Sequence, residues 1–224
     1  MPAIQNSEFR IQNSRRWLCL HSAFCILNYF ALSALSAQQL LDRVLARIAT
    51  EAITQTDVQA VVEFGLVDAK SIADPAAVGQ VVDRQLALKE VARFPPAEPT
   101  ADAVDEQLAV MKARAGTRLD DVMRVNGLDE PRVRGMARDT LRIRMYLEQR
   151  FGTSSQVGED EARKYFEAHR DEFTRNGMPL AFEEVQADAR QRASAERLRA
   201  TIAQWFKDLR ARSEVVFVTP DRAG

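Results

Sequence analysis

Between Phe173 and Pro179 only Thr174–Met178 separate two strong helical patterns, and that spacing limits what the chain can build there. The first pattern, Glu159 to Phe173, opens on Glu159, Asp160 and Glu161, acids that suit the positive end of a helix dipole. It places Ala162, Tyr165, Phe166 and Phe173 among charged neighbours. The second begins at Pro179 and reads as one helix over Ala181–Arg212, about 48 Å at the standard rise. Its apolar phase is Phe182, Val185, Ala189, then Leu198, Ile202, Trp205 or Phe206, and Leu209. The polar stretch Arg190–Arg197 between these groups predicts a helix that leaves one packing surface and joins another. A domain on the order of a hundred residues cannot fit in the joint.

Upstream, Leu41–Ala49 alternates, with Val44, Ala46 and Ile48 on one side, as a half-buried strand does. Glu51-Ala52 can turn it and Ile53-Thr54 return it. Thr54 or Thr56 then caps a helix, with Asp57 completing a Thr-x-x-Asp box from Thr54. Val58, Val61, Val62 and Phe64 supply its apolar side. Asp74-Pro75 predicts the next helix start, after which Val78, Val81, Val82 and Leu86 recur at helical spacing. Pro95-Pro96-Ala97-Glu98-Pro99 is a stiff connector. Further helices are predicted from Thr100 to Gly116, from Thr117 (boxed with Asp120) to Asn126-Gly127, and from Asp129-Glu130-Pro131 to Phe151. The last of these turns Val133, Met136, Ala137, Thr140, Leu141 and Met145 inward. Glu214–Thr219 reads as a terminal strand too short to be stable alone. Pairing it with Val44–Ile48 would close a mainly α chain with a small β-sheet that joins its first and last strands.

The N-terminus reads as an export signal. Arg15 and Arg16 precede the apolar run Trp17–Leu35, and small residues end it. Cleavage after Ser36 or after Ala37 fits, and a retained anchor is the alternative. Ile-Gln-Asn-Ser occurs at 4–7 and again at 11–14, like a translated DNA repeat, which predicts a start further along. Both cysteines, Cys19 and Cys25, lie inside this segment, so the exported part would have no thiol and one histidine, His169. Residues 1–37 hold three arginines and one acid, leaving 28 basic against 31 acidic residues, a net −3. That balance offers no global attraction to nucleic acid or anionic lipid.

Catalysis has little material here. A triad would depend wholly on His169, whose place after Ala168 is explained by a helix C-terminus. No Gly-rich phosphate loop, HExxH, CxxC or calcium-loop spacing occurs, so no catalytic residue, cofactor or metal is expected. Arg134, Arg138 and Arg142 form a stripe spaced by four, flanked by Arg132 and Arg144; Asp120, Asp121, Asp129, Glu130 and Asp139 could pair with it as a solvated face. Met111, Met123, Met136 and Met145, with Tyr146 and Phe151, could equally fill a core or line an adaptable binding surface.

The segments "ARKYFEAHRDEF", "PLAFEEVQADARQR", "VVDRQLALKEVARF" and "LDEPRVRGMARDTLRIRMYLEQR" resemble those of SurA-type periplasmic chaperones and parvulin-type prolyl isomerases. In that family a parvulin domain sits where this chain has only Thr174–Met178. The resemblance implies a signal over 1–37, a helical chaperone domain over 38–173, the joint at 174–178, a completing helix and strand over 179–219, and a tail at 220–224. It also implies a periplasmic, ATP-independent holdase for unfolded or outer-membrane-bound polypeptides, without isomerase activity and without stable membrane insertion after cleavage. The candidate client cleft is Met123, Met136, Met145 and Tyr146. Residual isomerase activity and a dedicated maturation subunit for one partner are the rival readings.

Overall fold

The computed structural model describes Asp42–Val218; the segment read as an export signal and the tail read at 220–224 lie outside the described residues. The described chain is mainly helical, with a small antiparallel sheet built from both of its ends. Strand β1 (Val44–Ile48) lies between β2 (Glu51–Thr54) and β5 (Val215–Phe217). Ala46 faces Phe217, and Ile48 faces Val215. The Val218 N–H adds a bond of 2.9 Å to the Leu45 carbonyl. The alternation in β1 does what period-two patterning requires: Ala46 and Ile48 are buried while Arg47 is exposed.

The turn between β1 and β2 falls at Ala49-Thr50, not at Glu51-Ala52, which belong to β2. Ala49 adopts φ 54°, a left-handed conformation that crowds a Cβ. Ala49→Gly is therefore expected to raise stability by up to about 1 kcal/mol, once the extra freedom of an unfolded glycine is subtracted. An unchanged or lower midpoint in urea would contradict this.

Helix α1 (Gln55–Glu63) starts on the capping box read from Thr54 and Asp57. The Thr54 N–H donates to Asp57 Oδ2 at 2.9 Å, and the Asp57 N–H donates back to Thr54 Oγ1 at 3.2 Å. Helix α2 (Ala77–Arg93) begins two residues after Asp74-Pro75. The Asp74 side chain accepts from the Ala76 N–H, so it shapes the approach turn instead of capping the helix. Helix α3 (Ala101–Ala115) is capped by Thr100. Next come a tight 3₁₀ turn over Gly116–Arg118 and a short α4 (Leu119–Val125), with no side-chain cap from Thr117. Helix α5 (Glu130–Phe151) starts where Asp129 accepts the Arg132 N–H and stops at Gly152.

Helix α6 (Glu159–Ala168) is shorter than its apolar pattern, because a 3₁₀ turn over Arg170–Glu172 carries the chain to buried Phe173. Two-residue strands β3 (Thr174–Arg175) and β4 (Met178–Pro179) then form a hairpin. Asn176 and Gly177 make its turn with φ 53° and 79°, the two positive values of a type I′ connection. Helix α7 (Phe182–Arg212) follows, about 46 Å long.

Three apolar clusters result. The main one joins the inner sheet face and α1 to Val81, Val82 and Val91 of α2, with Tyr146 of α5 and Trp205 and Leu209 of α7. A second lies between α3, α4 and α5 around Met111 and Val133. The third packs α6 and the hairpin on the first half of α7 through Phe166, Phe173 and Phe182. Helix α7 does pass from one cluster to another. Its unburied stretch is Ser194–Gln204, later than Arg190–Arg197, because the small side chains of Ala189 and Ala193 still fit under α6.

Candidate functional site

Helices α2, α5 and α7 do not close on one another along their whole length, and the gap between them is an open cleft with two lobes. The smaller lobe, 260 Å³, is floored by apolar side chains that pack on the main core without being sealed by it: Leu66, Val67, Ile143, Leu147 and Phe206. The larger, 670 Å³, runs along α7 past Ile202, Ala203 and Phe206. Gln80, Asp83 and Phe206 wall both lobes. The larger volume falls within the scale of small-ligand pockets and the smaller just below it, but an open trough of this kind suits a flexible chain better than an enclosed molecule.

The rim explains why the cleft persists. Asp83 of α2 and Arg210 of α7 form a two-pronged pair, Nε–Oδ1 2.5 Å and Nη2–Oδ2 2.6 Å. Arg210 also donates to the Gly79 carbonyl at 3.0 Å. This clamp fixes the separation of the two helices. Burial pushes the Asp83 carboxyl above its ordinary pKa and outweighs the opposing pull of Arg210. Arg84, largely buried in the wall, donates to the Met136 carbonyl and to Thr140 Oγ1 (3.2 and 3.0 Å), tying α2 to α5. Burial lowers its pKa from the usual guanidinium value, against the raising effect of Asp139.

None of Met123, Met136, Met145 or Tyr146 lines this cleft. Met123 packs on the second cluster. Met136 bridges the first and second clusters, and Met145 is half-buried on the same helix. Tyr146 is buried in the main core, its ring 5.9 Å from that of Trp205. One side of that tyrosine borders a separate 510 Å³ groove beside exposed Phe94 and Pro95. The four residues thus do not converge. The cleft residues Ile143 and Leu147 were findable from a different signal, since with Met136, which lies outside the lining, they form a second apolar stripe on α5. That stripe runs beside the deep one of Val133, Ala137 and Leu141. A helix with two apolar stripes packs two ways, and here the second stripe is only partly covered.

His169 ends α6: its Nδ1–H lies 2.9 Å from the Tyr165 carbonyl, and its ring stacks on Tyr165 at 4.1 Å. The arginine stripe is ion-paired, but mostly with acids distant in sequence. Arg134 bonds Asp105 of α3, and Arg138 bonds Glu98 of the connector. Of the acids near the stripe in sequence, Asp139 meets Arg142 at 3.8 Å, while Glu130 bonds Lys112 of α3 at 2.6 Å. The stripe serves as a seam between α5 and α3.

The hydrogen bonds from Arg138 and Arg134 hold Glu98 and Asp105 below their ordinary carboxylate pKa values. Lowered folded-state values mean that the stabilisation is present above the unfolded pKa and lost as pH falls through the folded one. Stability is therefore expected to drop below about pH 4. The Arg134→Gln/Arg138→Gln variant should show a flatter fall in thermal midpoint over that range. Parallel curves would show the seam to be energetically silent.

Among the described residues no helix is long and apolar enough to cross a membrane, and no cluster of His, Cys, Asp and Glu is placed to hold a metal. Neither a protein-family model nor a curated protein matches the chain.

Proposed function

We propose that the protein is a periplasmic, ATP-independent holdase that binds apolar segments of unfolded polypeptides, such as outer-membrane proteins in transit, in the cleft between α2, α5 and α7. The observation that carries this reading is an apolar floor left open beside a closed core. Leu66, Val67, Ile143 and Leu147 line a lobe that stays open although the Asp83–Arg210 clamp ties α2 to α7 at its rim. Burying a client's side chains there is favourable at about 25 cal/mol per Å². Ordering the client opposes that gain, so single contacts stay weak and exchange stays fast.

The resemblance to SurA-type chaperones favours the same role and an exported location, with the signal cleaved after Ser36 or Ala37. By that resemblance the Asn176-Gly177 hairpin would stand where SurA-type chaperones carry a parvulin domain, and the reading therefore includes no prolyl isomerisation. A urea-denatured outer-membrane β-barrel protein, diluted into buffer, is the direct test. Stoichiometric amounts of this protein are expected to suppress light scattering without nucleotide. Unchanged scattering would reject the holding role, and turnover in a protease-coupled proline assay would reject the absence of isomerase activity.

A further inference from the structure

The apolar floor of the cleft is flanked by charges that do not cancel. Arg84, Arg199, Lys207 and Arg210 line it, against the acids Asp68 and Asp83. Arg210 is committed to Asp83, and Arg84 to a carbonyl and a hydroxyl. Arg199 and Lys207 differ. They lie eight residues apart on α7, both exposed, and neither has an acidic partner within 4.0 Å among the described residues. Other exposed cations on this molecule, such as Arg134 with Asp105 and Arg192 with Glu172, are paired, and others are not; what distinguishes Arg199 and Lys207 is that they stand uncommitted on the wall of an apolar lobe. Asp68, the one acid of the larger lobe outside the clamp, donates its backbone N–H to Gln80 Oε1 at 2.7 Å, and its carboxylate forms no ion pair with either cation among the described residues. The lobe therefore pairs a wall of Ile202, Ala203 and Phe206 with two uncommitted cations about two helical turns apart.

We infer that the cleft selects extended apolar segments bearing carboxylates, with Arg199 and Lys207 each taking an acidic side chain of the client while its apolar side chains lie against Ile202 and Phe206. This rests on the holding role proposed above and adds a charge preference to it. Complementary charge at the rim of an apolar surface contributes selectivity and association rate more than raw affinity. Two exposed pairs of this kind give roughly a 3- to 10-fold preference over a neutral segment. Added salt should weaken that preference, because exposed pairs are screened within about 8–10 Å at ordinary ionic strength.

The test uses three fluorescein-labelled peptides sharing one Leu/Val/Phe core and flanked by Asp-Glu, by Asn-Gln or by Lys-Arg. Fluorescence anisotropy with the purified protein should rank them acidic, neutral, basic. In Arg199→Gln/Lys207→Gln the acidic peptide should fall to the affinity of the neutral one, and the neutral one should hardly change. Equal affinities, or tighter binding of the basic peptide, would overturn the charge preference and leave the holding role standing. An acidic preference that survives undiminished in the double variant would overturn the assignment to Arg199 and Lys207. If a folded protein, checked by circular dichroism, bound none of the peptides, both the preference and the holding role would fall.

Discussion

Replacing Trp205 by alanine is expected to cost about 3–5 kcal/mol of folding stability, a large share of the 5–15 kcal/mol typical of a domain. Trp205 is buried on α7, with the rings of Tyr146, Phe151 and Phe206 at 5.9, 5.7 and 4.9 Å. It is the point where α7, having left the third cluster, re-enters the main core beside the sheet. Its removal leaves a cavity that three aromatic rings on two rigid helices cannot fill. Trp205→Phe keeps a ring in the site and strands no acceptor, since the indole N–H has no hydrogen-bond partner among the described residues. It should cost less than half as much. Urea unfolding followed by circular dichroism separates the two variants. Equal losses would mean that the cluster repacks freely and that Trp205 is not its keystone.

Ile202→Asp should leave the fold nearly intact and weaken client holding about tenfold, equivalent to 1.4 kcal/mol. Ile202 is half-buried on the unburied stretch of α7, between the two clusters, and lines the larger lobe. A carboxylate there places charge where an apolar client side chain is expected to lie, and desolvating that charge opposes binding. Val110→Asp is the control. Val110 is 59% exposed on α3, away from the cleft lining, and should change nothing. The readout is the protein concentration needed for half-suppression of aggregation. Equal loss in both variants would point to a general surface effect instead of a site.

The frame of the fold was legible because its signals are local. The Thr54–Asp57 box, the Asp129 cap and the period-two burial of Ala46 and Ile48 each follow from a few neighbouring residues. The pairing of the first and last described strands was legible too, because a lone three-residue strand needs a partner. What escaped were features set by packing. Whether Phe173 continues α6 or follows a 3₁₀ turn depends on how it reaches Phe166 and Tyr165, at ring separations of 5.2 and 6.3 Å. The hairpin at Asn176-Gly177 did carry a local signal, an Asn-Gly pair, hidden because its strands have only two residues each.

The site was less legible than the fold for a physical reason. Methionine content marks an adaptable surface and a well-filled core alike, and in this protein Met111 is fully buried and Met136 spans two clusters. A cleft is a property of the space between helices. It depends on the Asp83–Arg210 clamp, whose partners are 127 residues apart. Two residue types at that separation carry no sequence pattern.

The proposed holding role turns on unfolded chains entering the trough beside Ile143 and Leu147. A photoreactive side chain placed at Leu147, with a second protein labelled at Val110, tests this by irradiation in the presence of a denatured outer-membrane protein. Strong adducts from position 147 and almost none from 110 are the expected result; equal yields from both, or adducts from 110 alone, would contradict it.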